Sequence, residues 1–160
     1  MNRINNNKGF TIIEVVLVLA IAGLIFLMVF IALPALQAGQ RDTARKSDVS
    51  NVAAAITSFS SANRGSLPST AQLETQLGVK TGTPKSYDNL SGNIQSVTTV
   101  ASTGNTRMVT VADGVITVYF GFKCGTAANS ATQTSIAKGT ARQYATVTKL
   151  EGGAGTGYCL

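Results

Sequence analysis

The residue with the most chemistry to explain is Glu14, the only ionisable side chain between Phe10 and Leu36. Behind it, Val15 to Leu36 runs for 22 residues without a charge or a side-chain amide or hydroxyl. An acid inside a hydrocarbon layer costs about 2.5–3.5 kcal/mol, so it needs a partner or a task. No Lys or Arg of the span can supply the partner. Glu14 either snorkels to the membrane edge, or meets a positive charge from another subunit or from processing of its own chain. Little else in the chain can do chemistry. The absence of His excludes serine–histidine and cysteine–histidine catalysis and histidine zinc sites. Asp88, Asp113 and Glu151 are isolated carboxylates that form no calcium loop and no catalytic pair. The expectation is a non-enzymatic protein without a cofactor.

The elements that position Glu14 are set by where the apolar residues lie. The 160 residues carry 13 Lys and Arg against 7 Asp and Glu, a formal charge of +6. Charged residues are only 12% of the chain, yet mean hydropathy is +0.21. Such an excess in a charge-poor chain belongs to the span. As a helix its 22 residues cover roughly 33 Å, enough for a hydrocarbon core of about 30 Å. Residues 1–9 precede it with Arg3 and Lys8 and no acid, so this end stays cytoplasmic and the C-terminal side is exported. The span is longer than the core of an ordinary signal peptide.

Lys8-Gly9-Phe10-Thr11-Ile12-Ile13-Glu14, followed by an unbroken apolar helix, resembles the signature of type IV prepilins and their pseudopilin relatives. The shared pattern is a basic leader ending in Gly, an aromatic residue after the cut, and Glu as the fifth residue of the product. The resemblance is specific over the first 36 residues. It implies that a prepilin peptidase cuts between Gly9 and Phe10 and that the Phe10 amine is N-methylated. It also implies that Glu14 of one subunit meets the Phe10 amine of a neighbour as subunits leave the membrane through an assembly platform. Gly23 and Pro34 match the stretch that can kink or melt in such filaments. A glycine at the cut lets a peptidase approach the backbone closely.

Beyond Leu36 a polar stretch bearing Arg41, Asp42, Arg45, Lys46 and Asp48 reads as solvated or intersubunit charge. Val49, Val52, Ala53, Ile56 and Phe59 then recur at helical spacing, predicting an amphipathic helix that ends near residues 61–65. Residues 66–92 read as loops with a short helical turn over 69–77. Strands are expected at 94–101, with a turn over residues 103–105, and at 107–112, 115–122 and 142–150. Asp113-Gly114 predicts a two-residue hairpin pairing Val111 with Ile116 and Val109 with Val118. Cys124 and Cys159 are the only cysteines. In an exported head they read as a disulfide, in a reducing setting as two thiols. A bridge would close a segment too poor in apolar residues to hold itself down.

The expected fold is α+β: a long N-terminal helix packed on a small antiparallel sheet, its apolar half protruding and transmembrane before assembly. The expected parts are a leader (1–9), a transmembrane and filament-core segment (10–36), an amphipathic second half of the helix (37–62) and a head (63–160). The resemblance makes the chain a type IV pilus subunit, for adhesion, twitching motility or DNA uptake. The alternatives are a pseudopilin of a type II secretion or competence system, and a signal-anchored binding protein that never polymerises. Lys80, Lys85, Arg107, Lys123, Lys138, Arg142 and Lys149 are a weak case for DNA as a partner, being spread without a cluster. Asn89-Leu90-Ser91 fits a glycosylation sequon.

Overall fold

A computed structural model describes residues 9–101, 104–127, 129–130, 132–152 and 156–160. The expected turn at 103–105 and the leader residues Arg3 and Lys8 lie wholly or partly outside them. Two compact units are present, residues 1–37 and 38–160. Helix α1 (Ile12–Ala62) contributes its first part to one and its second part to the other. The fold is α+β, a long N-terminal helix with its second half packed on β-structure.

In the larger unit, the predicted stripe forms. Val49, Val52 and Ile56 are fully buried on the sheet side of α1, each contributing about 1.5–3 kcal/mol relative to exposure. The helix stops where Arg64 and Gly65 turn to positive φ (54° and 85°) and the Gly65 N–H donates to Ser60 O at 2.8 Å. Helix α2 (Thr70–Gln76) follows, opened by a capping box between Ser69 and Gln72. A ribbon of β1 (Val79–Lys80) and β2 (Ser86–Tyr87) comes next. Tyr87 anchors it: its hydroxyl donates to Glu74 and accepts the Val97 N–H. Burial pushes the phenol above its ordinary pKa.

The remaining strands are β3 (Ser96–Ala101), β4 (Arg107–Thr110), β5 (Val115–Phe120), β6 (Phe122–Cys124), β7 (Gln133–Lys138), β8 (Tyr144–Lys149) and β9 (Gly157–Cys159). They form two sheets, ordered β3-β5-β8-β9 and β4-β7-β6. The first is mixed, because β3 runs parallel to β5; the remaining pairs are antiparallel. On one side, Ile116 and Val118 of β5 join the α1 stripe, Leu73, Leu77, Ile94 and Val97 in one core. On the other, Tyr119, Ala145 and Val147 meet Val109, Val111, Phe122 and Ile136 in a second. The larger unit is therefore layered as helix, sheet and sheet.

The expected hairpin does not form. Asp113-Gly114 does reverse the chain, with Gly114 at φ 68°, but β4 pairs with β7 (Val109 opposite Thr134). The Gly114 carbonyl instead accepts the Gln95 and Ser96 N–H groups at 2.8 and 3.2 Å, which starts the parallel β3–β5 pairing. The physical reason is that β5 is apolar on both faces and must be covered twice. Its neighbours in the sheet are β3 and β8, so Val109 and Val111 serve better in the second layer.

Of the charges expected to be solvated or intersubunit, Arg41 and Lys46 are exposed, but Arg45 and Asp48 are not. Arg45 and Asp48 are 4% and 2% exposed. Arg45 donates to Lys149 O (2.8 Å) and Glu151 Oε1 (2.6 Å), and Arg41 Nε lies 2.6 Å from Glu151 Oε2. Asp42 accepts the Glu151 and Gly152 N–H groups at 2.6 and 2.7 Å. Asp48 accepts the Ser91 N–H at 2.7 Å and the Ser91 hydroxyl. These side chains clamp the loop after β8 and the loop before β3 onto the helix. Asp113, hydrogen-bonded by Lys149 at 2.8 Å, is held below the usual carboxylate range by that contact, with Arg45 adding to it.

The region between the cysteines is held by more than apolar contact. Asn129 accepts from the Thr134 hydroxyl and the Ser135 N–H while donating to Gly157 O. That network lets Thr134 and Ser135 be buried in β7. A side chain at Gly157 would come within 2.8 Å of Thr134 Cβ. Cys124 and Cys159, 35 residues apart, are joined by a disulfide with a Cα–Cα distance of 5.8 Å. It ties β6 of one sheet to β9 of the other.

Replacing both cysteines by Ser should lower unfolding stability by about 3–4 kcal/mol, as loss of a 35-residue loop closure implies. Limited proteolysis should then cut first between residues 125 and 156. Asp48→Ala should cost about 1–3 kcal/mol, because it strands the part-buried Ser91 N–H, whereas Asp48→Asn should cost less. Thermal unfolding of the detergent-solubilised chain measures both.

Candidate functional site at the N-terminus

The functional residues expected from the sequence cluster at the start of α1. Gly9, Phe10 and Thr11 precede the helix and are not helical. Phe10 is 90% exposed. Thr11 occupies the N-cap position and Glu14 the third helical position, the spacing of a capping box. The Glu14 N–H donates to Thr11 Oγ1 at 3.4 Å and to Thr11 O at 3.1 Å. In return Glu14 Oε2 accepts the Thr11 N–H and the Thr11 hydroxyl, both at 2.8 Å. Glu14 thus has a partner inside its own chain, three residues upstream. Thr-x-x-Glu before an apolar run is itself a sequence signature of this cap.

Downstream of Glu14 the helix presents an apolar surface. The large hydrophobic side chains from Ile12 to Leu36 are exposed, most of them by more than half. Eighteen consecutive residues reach a mean hydropathy of 3.2 with none buried, which is long and apolar enough to cross a membrane. Apolar patches beyond a few hundred Å² mark a surface that meets another apolar phase. The helix is continuous through Gly23 and Pro34. A side chain at Gly23 or at Gly9 would meet nothing within 4 Å among the described residues. The glycine at 9 therefore answers to no packing need in the structure described.

The other expected residues are not brought to this site. Of the seven basic residues considered for phosphate binding, Lys80 pairs with Asp88, Lys85 with Glu74 and Lys149 with Asp113. Arg107 lies 5.9 and 5.7 Å from the ring centroids of Tyr119 and Phe122. The three lysine pairs each offset one positive charge locally. In the sequon, the Ser91 hydroxyl is engaged by Asp48. Among the described residues, no group of three or more Cys, Asp or Glu side chains is placed to hold a metal ion.

Residues 4–30 match the family model described as the prokaryotic N-terminal methylation motif. Comparison with curated proteins and with solved structures returned no match. The motif covers the junction at Gly9 and Phe10, the capping pair and most of the apolar surface. Residues 4–30 carry a type IV prepilin-like signal, which supports a pilin- or pseudopilin-like protein.

Proposed function

We propose that the chain is a structural subunit of a type IV pilus. The single observation that carries this reading is the methylation motif leading into an apolar helix with exposed side chains. Residues 1–9 are the cytoplasmic leader, removed by a prepilin peptidase at Gly9–Phe10, and the new Phe10 amine is N-methylated. Residues 10–36 lie in the cytoplasmic membrane before assembly and in the filament core afterwards. Residues 37–62 and the head, 63–160, are exported and carry the surface used for adhesion, twitching motility or DNA uptake.

The physical logic is an exchange of apolar partners. A helix surface that lipid covers in the membrane is covered by neighbouring helices in the fibre, so subunits move from one to the other without exposing it to water. Glu14 contributes register. Cleavage creates an ammonium at Phe10, and a neighbouring subunit's Glu14 in that low-dielectric layer is its natural counter-charge. A buried pair of this kind adds uncertain net stability but penalises misalignment heavily, since an offset subunit leaves both charges unpaired. Gly23 and Pro34 weaken the helix between them, which favours local melting under tension.

The mature N-terminus is decided by intact-mass analysis of the chain from its own cells. A product beginning at methylated Phe10 supports the proposal, and an intact Met1 or a cut near Ala38 refutes it. Glu14→Gln keeps the length of the side chain and removes its charge. The variant should insert and be processed but yield at least tenfold fewer surface filaments by electron microscopy. Filaments at the wild-type level would remove Glu14 from assembly.

A further inference from the structure

We infer that Thr11 is a positioning residue for processing: its capping box with Glu14 keeps the Gly9–Phe10 peptide out of the helix, where a peptidase can reach it. The inference deepens the proposed function and rests on processing at Gly9–Phe10. What decides access is which carbonyls the helix consumes. Were the helix to start one turn earlier, Gly9 C=O would accept the Ile13 N–H and Phe10 C=O the Glu14 N–H, by the ordinary i to i+4 pattern. In the structure the Glu14 N–H is directed to Thr11, through both the backbone carbonyl and Oγ1. The Val15 N–H also donates to Thr11 O, at 3.4 Å. Thr11 C=O is therefore the first carbonyl the helix takes up.

The second half of the box blocks the other direction. The Thr11 N–H, the next donor after the scissile peptide, is held by Glu14 Oε2 at 2.8 Å. Gly9 and Phe10 are left in non-helical, exposed backbone. Hydrolysis needs that freedom. Water adds to the Gly9 carbonyl carbon, the C–N bond to Phe10 breaks, Gly9 leaves as a carboxylate and the Phe10 nitrogen takes up both protons of the water to become an ammonium. A carbonyl already tied into a helical turn cannot present its carbon to water and to the peptidase at once. Among the described residues, nothing lies within 4 Å of a side chain placed at this glycine, and a residue without a side chain is what a peptidase approaching the backbone closely needs.

The box also separates two tasks of Glu14. Capping needs an acceptor of this length at this position, which Gln supplies as well as Glu. Pairing with an ammonium needs the charge. Threonine has no part in the second task, so variants at 11 and 14 should fail at different steps.

The test follows processing of the full-length chain in membranes containing prepilin peptidase, by time-resolved intact mass. Thr11→Ala should be cut about fivefold more slowly, the population shift expected when a cap is lost. Thr11→Ser and Thr11→Asn, both good caps of different shape, should restore the rate, and Glu14→Gln should be cut at the wild-type rate. Amide exchange of the uncut chain in detergent gives a readout independent of the peptidase: Thr11→Ala should alter protection between Phe10 and Glu14 and nowhere beyond residue 20. Thr11→Ala cut as fast as wild type overturns the inference. Rescue by Ser but not Asn also overturns it, since that pattern means the peptidase reads the threonine directly. Wild type left uncut at Gly9–Phe10 overturns the processing assignment itself.

Discussion

An apolar helical surface running from Ile12 to Leu36 cannot rest in water, and the properties of the N-terminal region follow from that constraint. Burying each such side chain is worth about 1.5–3 kcal/mol, far more in total than any polar contact the region makes. The surface must meet lipid or other apolar helices. A polar residue within this region is then tolerated only where it solves a problem. Glu14 solves one locally by accepting the Thr11 N–H and the Thr11 hydroxyl at the helix start.

The larger unit faces the opposite difficulty. It has two small cores and a middle sheet that must be covered on both faces. Apolar contact alone is thin at the ends of this arrangement, and hydrogen bonds to charged groups take over. Arg45 and Asp48 extend the buried stripe of α1 beyond Val49, replacing apolar contact by directional bonds to loops that carry few apolar residues. The same substitution occurs at β7, where Asn129 and the disulfide hold Thr134, Ser135 and β9 in place. Buried polar groups of this kind specify one arrangement, because a shifted loop leaves them unsatisfied.

Much of this was legible in the residues. The span, the amphipathic stripe at Val49, Val52 and Ile56, the stop at Gly65 and most of the strand at 115–120 all rest on periodicity or local backbone preference. The pairing of strands was not legible. Asp113-Gly114 states that the chain turns, and says nothing about which strand lies beside which after the turn. Strand β7 was missed because Gln133-Thr134-Ser135-Ile136 carries too little apolar character to signal burial; its buried polar groups are satisfied by Asn129 and by the Ala127 carbonyl. Glu14 carries a local signal as well: its capping partner is legible in Thr-x-x-Glu, beside the expectation of a partner from another subunit.

What the sequence by itself determined is therefore local and one-dimensional. An apolar run of 22 residues, a helix cap, a heptad-like stripe and a turn depend on neighbours within a few positions, so their physics is written in order along the chain. The tertiary structure alone decided that β3 lies parallel to β5, that β4 moves to a second sheet, and that Arg45 and Asp48 are buried. These depend on residues 19 to 106 positions apart competing for the same two faces of one sheet and the same charged partners. No local pattern encodes the outcome of that competition.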